Sequence, residues 1–183
     1  MIVFLGDSIF QWWDKEQFNV FSKYDPLNFG VAGYTTKDVL DFLVMTNMHG
    51  LQPEVIVILI GTNNSDHDYT TAQTLAEIKD IIDVLLELSP KSKILLMGIL
   101  PRGDSNADRK RVFNTTVNKL LKAEKFQKEV YYIDVGYMFL KGEEQISKKI
   151  MYDGLHLTSE GYGLLSEAIS SFIPILLENT STP

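Results

Sequence analysis

The stretch at residues 55–60, VIVILI, runs directly into the polar residues GTNN at 61–64 and decides the fold of this chain. Its residues are apolar, mostly β-branched, and do not alternate with polar ones. A continuous apolar run of this length is typical of a strand covered on both faces, as in a parallel sheet. Further strands are predicted at residues 2–5, 27–29, 94–97 and 130–133. The sequence therefore predicts a five-stranded sheet.

Segments with helical spacing separate the predicted strands. Thr70 and Gln73 are spaced as a capping box, and apolar residues then recur at helical intervals as far as Pro90. Similar stripes at residues 113–121 and 165–176 predict two more helices, and Pro174 predicts a kink or an end in the last one. Alternating strands and helices predict right-handed βαβ units and a three-layer α/β/α sandwich.

Length and composition indicate a single globular domain. The 183 residues are 45% hydrophobic and 22% charged, which suits one domain over residues 1–178 with a flexible polar tail at 179–183. The net charge is −7, and the basic residues are scattered except for the run at 109–111, which we interpret as a solvated helix face. This charge pattern argues against nucleic acid as a partner.

Two absences limit the chemistry and the location. The chain has no cysteine, which excludes disulfides, thiolate catalysis and cysteine-based zinc sites. No apolar stretch approaches the roughly 20 residues that span a bilayer, so we expect no stable membrane insertion. The first residues lack the basic flank and the length of a secretory signal, and a cytoplasmic location is expected.

Polar residues follow three of the predicted strands, where open parallel sheets place their sites. The first strand ends in Gly6-Asp7-Ser8, the second leads to Gly33, and the third leads to Asn63. If the strand order is 2-1-3-4-5, these three segments converge. The hydroxyl of Ser8 would then lie near three donors, namely its own backbone N–H, that of Gly33 and the Asn63 amide. Such donors are the components of an oxyanion hole.

A serine hydroxyl needs a base to act as a nucleophile, and the chain has three histidines. We interpret His49 and His67 as surface loop residues. His156 differs because it lies three residues after Asp153 in DGLH, a spacing that lets the carboxylate orient one ring nitrogen. The expected catalytic residues are therefore Ser8, His156 and Asp153. The second GDS, at 103–105, stands beyond Pro101 and is predicted to be a turn.

Four blocks together resemble the SGNH hydrolase superfamily, the GDSL-type esterases and lipases. They are GDSI at 6–9, NFGVAG at 28–33, GTNN at 61–64 and DGLH at 153–156. Over the whole chain the sequence is similar to the acylhydrolases of the platelet-activating-factor acetylhydrolase type. The resemblance implies a flavodoxin-like sheet and ester hydrolysis without a metal or an organic cofactor. It assigns the nucleophile, base and orienting acid to the residues named above, and the oxyanion hole to Ser8, Gly33 and Asn63.

Two positions depart from the pattern of many relatives. Tyr34 and Asn64 stand where those relatives carry acidic residues, and both adjoin the expected oxyanion donors. With Asp7 and Arg102, they are the candidate substrate-binding residues. Trp12 and Trp13 could wall the cleft, although aromatic residues at such positions belong more often to the core.

The expected function is serine-dependent hydrolysis of short acyl esters, above all acetyl esters, of a carbohydrate or a lipid. The expected partner is thus a small-molecule ester, and a homodimer is left open. A lysophospholipase or thioesterase that acts on longer acyl chains is the alternative within the enzymes. A non-catalytic flavodoxin-like binding module is the alternative from another class, and it leaves Ser8, Asn63, Asp153 and His156 unexplained.

Overall fold

The computed structural model describes residues 1–46, 50–142 and 144–178, and it contains the five predicted strands. His49 and the expected tail at 179–183 lie outside the described residues. All neighbouring strands are parallel, in the order β2-β1-β3-β4-β5, which confirms the predicted sheet. The strands are β1 Ile2–Gly6, β2 Pro26–Gly30, β3 Val55–Leu59, β4 Lys93–Met97 and β5 Val130–Ile133.

Helices connect these strands on both faces of the sheet. The α-helices are α1 Ser8–Gln11, α2 Lys15–Phe18, α3 Thr36–Met45, α4 Thr71–Leu88, α5 Arg109–Ala123 and α6 Ser159–Glu178. Short 3-10 helices span Asn19–Tyr24, Asn63–Asp66 and Gly136–Phe139. The predicted capping box of Thr70 and Gln73 begins α4. None of the helices in the described part of the chain is long and apolar enough to cross a membrane.

The strands divide the core into two halves because successive side chains point to opposite faces. Ile2 and Phe4 face one half, where they pack with apolar residues of α1 and α6. Val3 and Leu5 face the other half, which α3, α4 and α5 cover. Both faces of the central strands are therefore buried, which explains why VIVILI has no polar alternation.

Glycines end the first two strands where the backbone is crowded. A Cβ on Gly6 would lie 2.3 Å from the Leu59 carbonyl oxygen, and one on Gly30 would lie 2.4 Å from the Gln11 nitrogen. The short helix α1 can therefore lie directly against β2. This close approach fixes the position of Ser8 at the carboxyl edge of the sheet.

Pro174 does not end the last helix, because α6 continues through it to Glu178. Ile173 and Leu176 on either side of the proline are fully buried. Burial of these side chains outweighs the backbone hydrogen bond that proline removes.

The basic run at 109–111 is not wholly a solvated face, which corrects the interpretation from the sequence. Arg109 and Lys110 are exposed, but Arg111 is buried. Its guanidinium donates hydrogen bonds to the carbonyl oxygens of Arg102, Gly103 and Glu144. A guanidinium that satisfies several carbonyl oxygens in this way can be buried at tolerable cost.

Candidate active site

Ser8 lies at the turn between β1 and α1. Asp7 is the N-cap of α1, and its Oδ1 accepts a hydrogen bond of 2.9 Å from the backbone N–H of Ile9. Ser8 is the first residue of the helix and is only 4% exposed. The backbone N–H of a first helical residue has no partner within its helix. The serine hydroxyl therefore lies near a backbone donor that the helix itself does not use.

The hydroxyl of Ser8 contacts the segment that precedes α6. The distance between Ser8 Oγ and His156 Nε2 is 3.2 Å, and that between His156 Nδ1 and Asp153 Oδ2 is 2.6 Å. The three side chains thus form one hydrogen-bonded chain, in the order expected from the sequence. In this arrangement the carboxylate can hold the Nδ1 proton, which leaves Nε2 to accept a proton from the serine.

A tight turn orients Asp153 toward His156. Asp153 Oδ1 accepts hydrogen bonds from the backbone N–H groups of Leu155, at 3.0 Å, and His156, at 2.7 Å. Burial acts to raise the pKa of Asp153, but the backbone and ring hydrogen bonds from His156 and the bond from Leu155 outweigh it, so this pKa is lowered. The carboxyl group is therefore ionised at neutral pH, as an orienting acid must be.

The second GDS segment supports this turn from outside. The backbone N–H of Gly103 donates a 2.9 Å hydrogen bond to the carbonyl oxygen of Gly154, between Asp153 and His156. Ser105 points elsewhere, because its Oγ accepts the N–H of Ala107 at 3.3 Å. The sequence shows the second GDS only as a repeat of the first. Nothing in the sequence indicates that this segment contacts the turn that carries His156.

Gly33 and Asn63, the other expected oxyanion donors, lie in adjoining segments. Asn63 Nδ2 donates a 2.9 Å hydrogen bond to the carbonyl oxygen of Tyr34, the residue after Gly33. Gly33 has φ of 82°, and a Cβ on it would meet nothing within 4 Å. Open space therefore borders the backbone of Gly33. The side-chain amide of Asn63 carries two hydrogens, and the bond to Tyr34 uses only one of them.

Three of the expected substrate-binding residues, Asp7, Asn64 and Arg102, are buried on partners within the protein, and their role in substrate binding stays a prediction. Asn64 Oδ1 accepts the Thr36 N–H, and its Nδ2 donates to hydroxyl groups of α3 and α4. Arg102 forms an ion pair of 2.7 Å with Asp66 and also donates to the Thr62 carbonyl oxygen.

Asp7 is the most perturbed carboxyl group near the site. It is 1% exposed, and burial raises its pKa to about 7. The hydrogen bond from Ile9 and the positive charge of Arg102 act in the opposite direction but are weaker than the burial. Asp7 thus supports the turn that carries Ser8.

The two tryptophans after α1 have different roles. Trp13 is buried in the core, stacked on Tyr162. Trp12 is exposed and lies against His156, with 4.3 Å between the ring centroids. Tyr152, which the sequence did not indicate, also lies against His156, at 6.0 Å. Tyr34 is half-buried, and a role for it in substrate binding stays a prediction.

The fold and the site define the class of protein. A parallel α/β sandwich that brings a serine after β1 together with a histidine and an aspartate before α6 is suited to hydrolysis of esters. Among the described residues, no group of three histidine, cysteine, aspartate or glutamate side chains could hold a metal ion.

The sequence matches the GDSL-like lipase/acylhydrolase family over residues 4–164, and the chain belongs to this family. It is accordingly a carboxylic ester hydrolase, which decides against the non-catalytic binding module.

Individual comparisons agree with this assignment. Platelet-activating factor acetylhydrolase IB subunit alpha2 of Rattus norvegicus is 34% identical over 183 residues, covering 98% of this chain and 78% of the relative. A GDSL-like lipase from Bacteroides thetaiotaomicron superposes with a TM-score of 0.76 at 22% identity, covering 95% and 87% of the two chains. An acetyl xylan esterase superposes with a TM-score of 0.74 at 17% identity, covering 94% and 98%. These two structural similarities concern the fold alone.

Proposed function

We propose that the protein hydrolyses short acyl esters, above all acetyl esters, through an acyl-serine intermediate on Ser8. The observation that carries the proposal is the continuous hydrogen-bonded chain from Ser8 through His156 to Asp153, with distances of 3.2 Å and 2.6 Å. A nucleophile and a base within hydrogen-bond reach, with the base oriented by a third group, are what acyl transfer requires.

In the proposed cycle, His156 Nε2 takes the Ser8 proton while Oγ attacks the ester carbonyl carbon. Three donors then stabilise the negative charge on the carbonyl oxygen: the backbone N–H groups of Ser8 and Gly33 and the side-chain amide of Asn63. His156 returns the proton to the alcohol oxygen as the carbon–oxygen bond breaks. Water repeats these steps on the acyl-serine, which releases the acid and restores the hydroxyl.

The name of one relative supports a short acyl group. The rat relative, at 34% identity over nearly the whole chain, is named an acetylhydrolase. The alcohol is then a carbohydrate or a lipid. Hydrolysis of longer acyl chains, as by a lysophospholipase or thioesterase, is the alternative.

The two GDS segments provide a matched test of the nucleophile. Ser8→Ala should lower kcat on p-nitrophenyl acetate by about 1,000-fold or more, because no other group can form the acyl intermediate. Ser105→Ala should change it by no more than about three-fold, since Ser105 Oγ only accepts a hydrogen bond within its own turn. Circular dichroism would verify that both variants are folded. Loss of activity in the Ser105 variant alone would refute the assignment.

Acyl preference can be measured separately with p-nitrophenyl esters from acetyl to decanoyl. We expect kcat/KM to be highest for acetyl and to fall steadily with chain length if the proposed preference for short acyl groups is correct. A maximum at octanoyl or decanoyl would favour the lysophospholipase or thioesterase alternative instead.

A further inference from the structure

Two exposed aromatic rings flank the candidate base. Trp12 is 49% exposed and Tyr152 is 53% exposed. Single exposed aromatic side chains are common on protein surfaces and need no explanation. These two are distinguished because both rings contact the same imidazole, with centroids 4.3 Å and 6.0 Å from that of His156. They come from different segments of the chain and meet only at the site.

The backbone that carries the catalytic candidates also positions both aromatic residues. Trp12 stands four residues after Ser8, and its N–H donates a 2.9 Å hydrogen bond to the Ser8 carbonyl oxygen. Side chains four residues apart lie on the same face of a helix. Tyr152 directly precedes Asp153, and its N–H donates a 3.2 Å hydrogen bond to the His156 carbonyl oxygen. These hydrogen bonds tie the backbone of both residues to the candidate site, and the rings lie beside His156.

The proposed reaction determines which part of the substrate meets these rings. His156 Nε2 must return its proton to the leaving alcohol, so the alcohol oxygen lies next to the imidazole. The carbonyl oxygen of the acyl group lies instead toward the backbone N–H groups of Ser8 and Gly33. Side chains that surround His156 consequently contact the alcohol and not the acyl group.

The charges beside the two rings bear on which alcohol binds there. The Asp153 side chain is 40% exposed, ionised and 2.6 Å from the His156 ring, so the two groups carry no net charge once His156 has taken the serine proton. This pair therefore offers no uncompensated charge to a phosphate or to a quaternary ammonium. A neutral sugar ring needs no such charge. Its C–H face can cover an aromatic ring, while its hydroxyl groups remain in water.

We propose that Trp12 and Tyr152 form a stacking platform for the neutral sugar ring of an O-acetylated carbohydrate, which is the alcohol of the substrate. This inference rests on the proposed function, because it takes His156 as the group that protonates the alcohol. It narrows that function from a carbohydrate or lipid ester to a carbohydrate ester.

The test compares three acetyl esters: a monoacetylated methyl glucopyranoside, vinyl acetate and an acetylated glycerophosphocholine. Trp12→Ala should reduce kcat/KM on the sugar ester about ten-fold more than on vinyl acetate, mainly through KM, because vinyl alcohol has no ring to stack. Tyr152→Ala should act in the same direction. Trp12→Phe and Tyr152→Phe should retain most of the sugar preference, since each keeps an aromatic face.

Tyr137→Ala is the matched control, because Tyr137 is also an exposed tyrosine, at 74%, and lies in another segment. It should leave the kinetics on all three esters unchanged. Equal losses on the sugar ester and vinyl acetate would overturn the proposal, since the rings would then only support His156. A larger loss on the phospholipid would overturn it in favour of a lipid alcohol. Failure of wild type to cleave the sugar ester while it cleaves vinyl acetate would also overturn it.

Ser8→Ala separates this inference from the proposed function. If that variant kept its activity on vinyl acetate, the acyl-serine mechanism itself would be wrong. If it lost activity on every ester, the mechanism would stand, and the selectivity ratios of the Trp12 and Tyr152 variants would decide the sugar platform alone.

Discussion

At the scale of single residues, the carboxyl group of Asp7 combines a structural role with an unusual acidity. It caps α1 through its hydrogen bond to Ile9, and burial raises its pKa to about 7. In an unfolded chain the same group would titrate near 3.8. Between these two values the folded protein holds a proton that the unfolded chain has lost. Rising pH through this window therefore lowers the free energy of unfolding.

Asp7→Asn should remove this pH dependence while it keeps the cap, because an asparagine Oδ1 can also accept the Ile9 N–H. From pH 5 to pH 8, the free energy of unfolding of wild type should fall relative to that of the variant by up to a few kcal/mol. Urea denaturation of both proteins at these two values measures the difference, and other titrating groups cancel between them. A constant difference across the range would show that Asp7 is not protonated in the folded state.

The lowered pKa of Asp153 acts in a separate window. Its folded pKa lies below the ordinary value of 3.8, so its contribution to stability is present above that value and is lost as the pH falls below it. Titration of Asp153 therefore does not contribute to the change in the free energy of unfolding between pH 5 and pH 8.

The roles of individual residues were only partly readable from the sequence. Ser8 directly follows a strand, and Asp153 and His156 share one turn. Local spacing therefore identified these three residues as candidates. The burial of Asn64 and Arg102 depends on partners 28 and 36 positions away, Thr36 and Asp66, which no local pattern reveals. A polar residue at a strand end can serve the site or the scaffold, and only its tertiary partners distinguish the two.

At the scale of elements, the loop that follows β4 braces the turn that carries the histidine. Arg111 in α5 donates to the carbonyl oxygens of Arg102 and Gly103, and the Gly103 N–H donates to Gly154. The buried guanidinium thus connects α5 to the segment between Asp153 and His156. Arg111 touches none of the candidate reacting groups and is a positioning residue.

Arg111→Met should lower kcat on p-nitrophenyl acetate about ten-fold with little change in KM, because small displacements of a catalytic base are costly. It should also reduce the free energy of unfolding by about 2 kcal/mol or more, since buried carbonyl oxygens lose their donor. Arg111→Lys should retain only part of the wild-type kcat and of the wild-type free energy of unfolding, because lysine cannot reproduce the forked guanidinium group.

Arg109→Met is the control for this experiment, because Arg109 is exposed on the same helix. It should change neither kcat nor stability. A folded Arg111→Met protein with the kcat of wild type would show that the loop does not hold the histidine turn.

At the scale of the whole molecule, the two halves of the core share one sheet. Ile2 and Val3 are adjacent in β1, yet they belong to opposite halves, so neither half can lose its packing without exposing the same strand. We therefore expect a single cooperative unfolding transition for the domain at residues 1–178. Urea curves from far-ultraviolet circular dichroism and tryptophan fluorescence should coincide. Two separated midpoints would contradict the single domain.

The five strands were predictable because their signals are local apolar runs. Their order was not local: it was assumed in the argument from the strand ends and implied by the family resemblance, and the observed order β2-β1-β3-β4-β5 agrees with it. The continuation of α6 through Pro174 was not predictable, because the burial of Leu176 depends on distant packing. The sequence also left two interpretations of Trp12, a wall of the cleft or a core residue. Only the tertiary structure, which brings the turn with His156 against Trp12, distinguishes them.

The contact between Ser8 and His156 joins residues 148 positions apart in the chain. A ribosome adds roughly 5–20 residues per second and makes the serine end first. If Ser8 is the nucleophile and His156 its base, as proposed, the chain carries the serine without the histidine for roughly 7–30 seconds of each synthesis. On that proposal a nascent chain stays inert toward cellular esters until residue 156 has been added, and premature termination before residue 156 should yield no hydrolase.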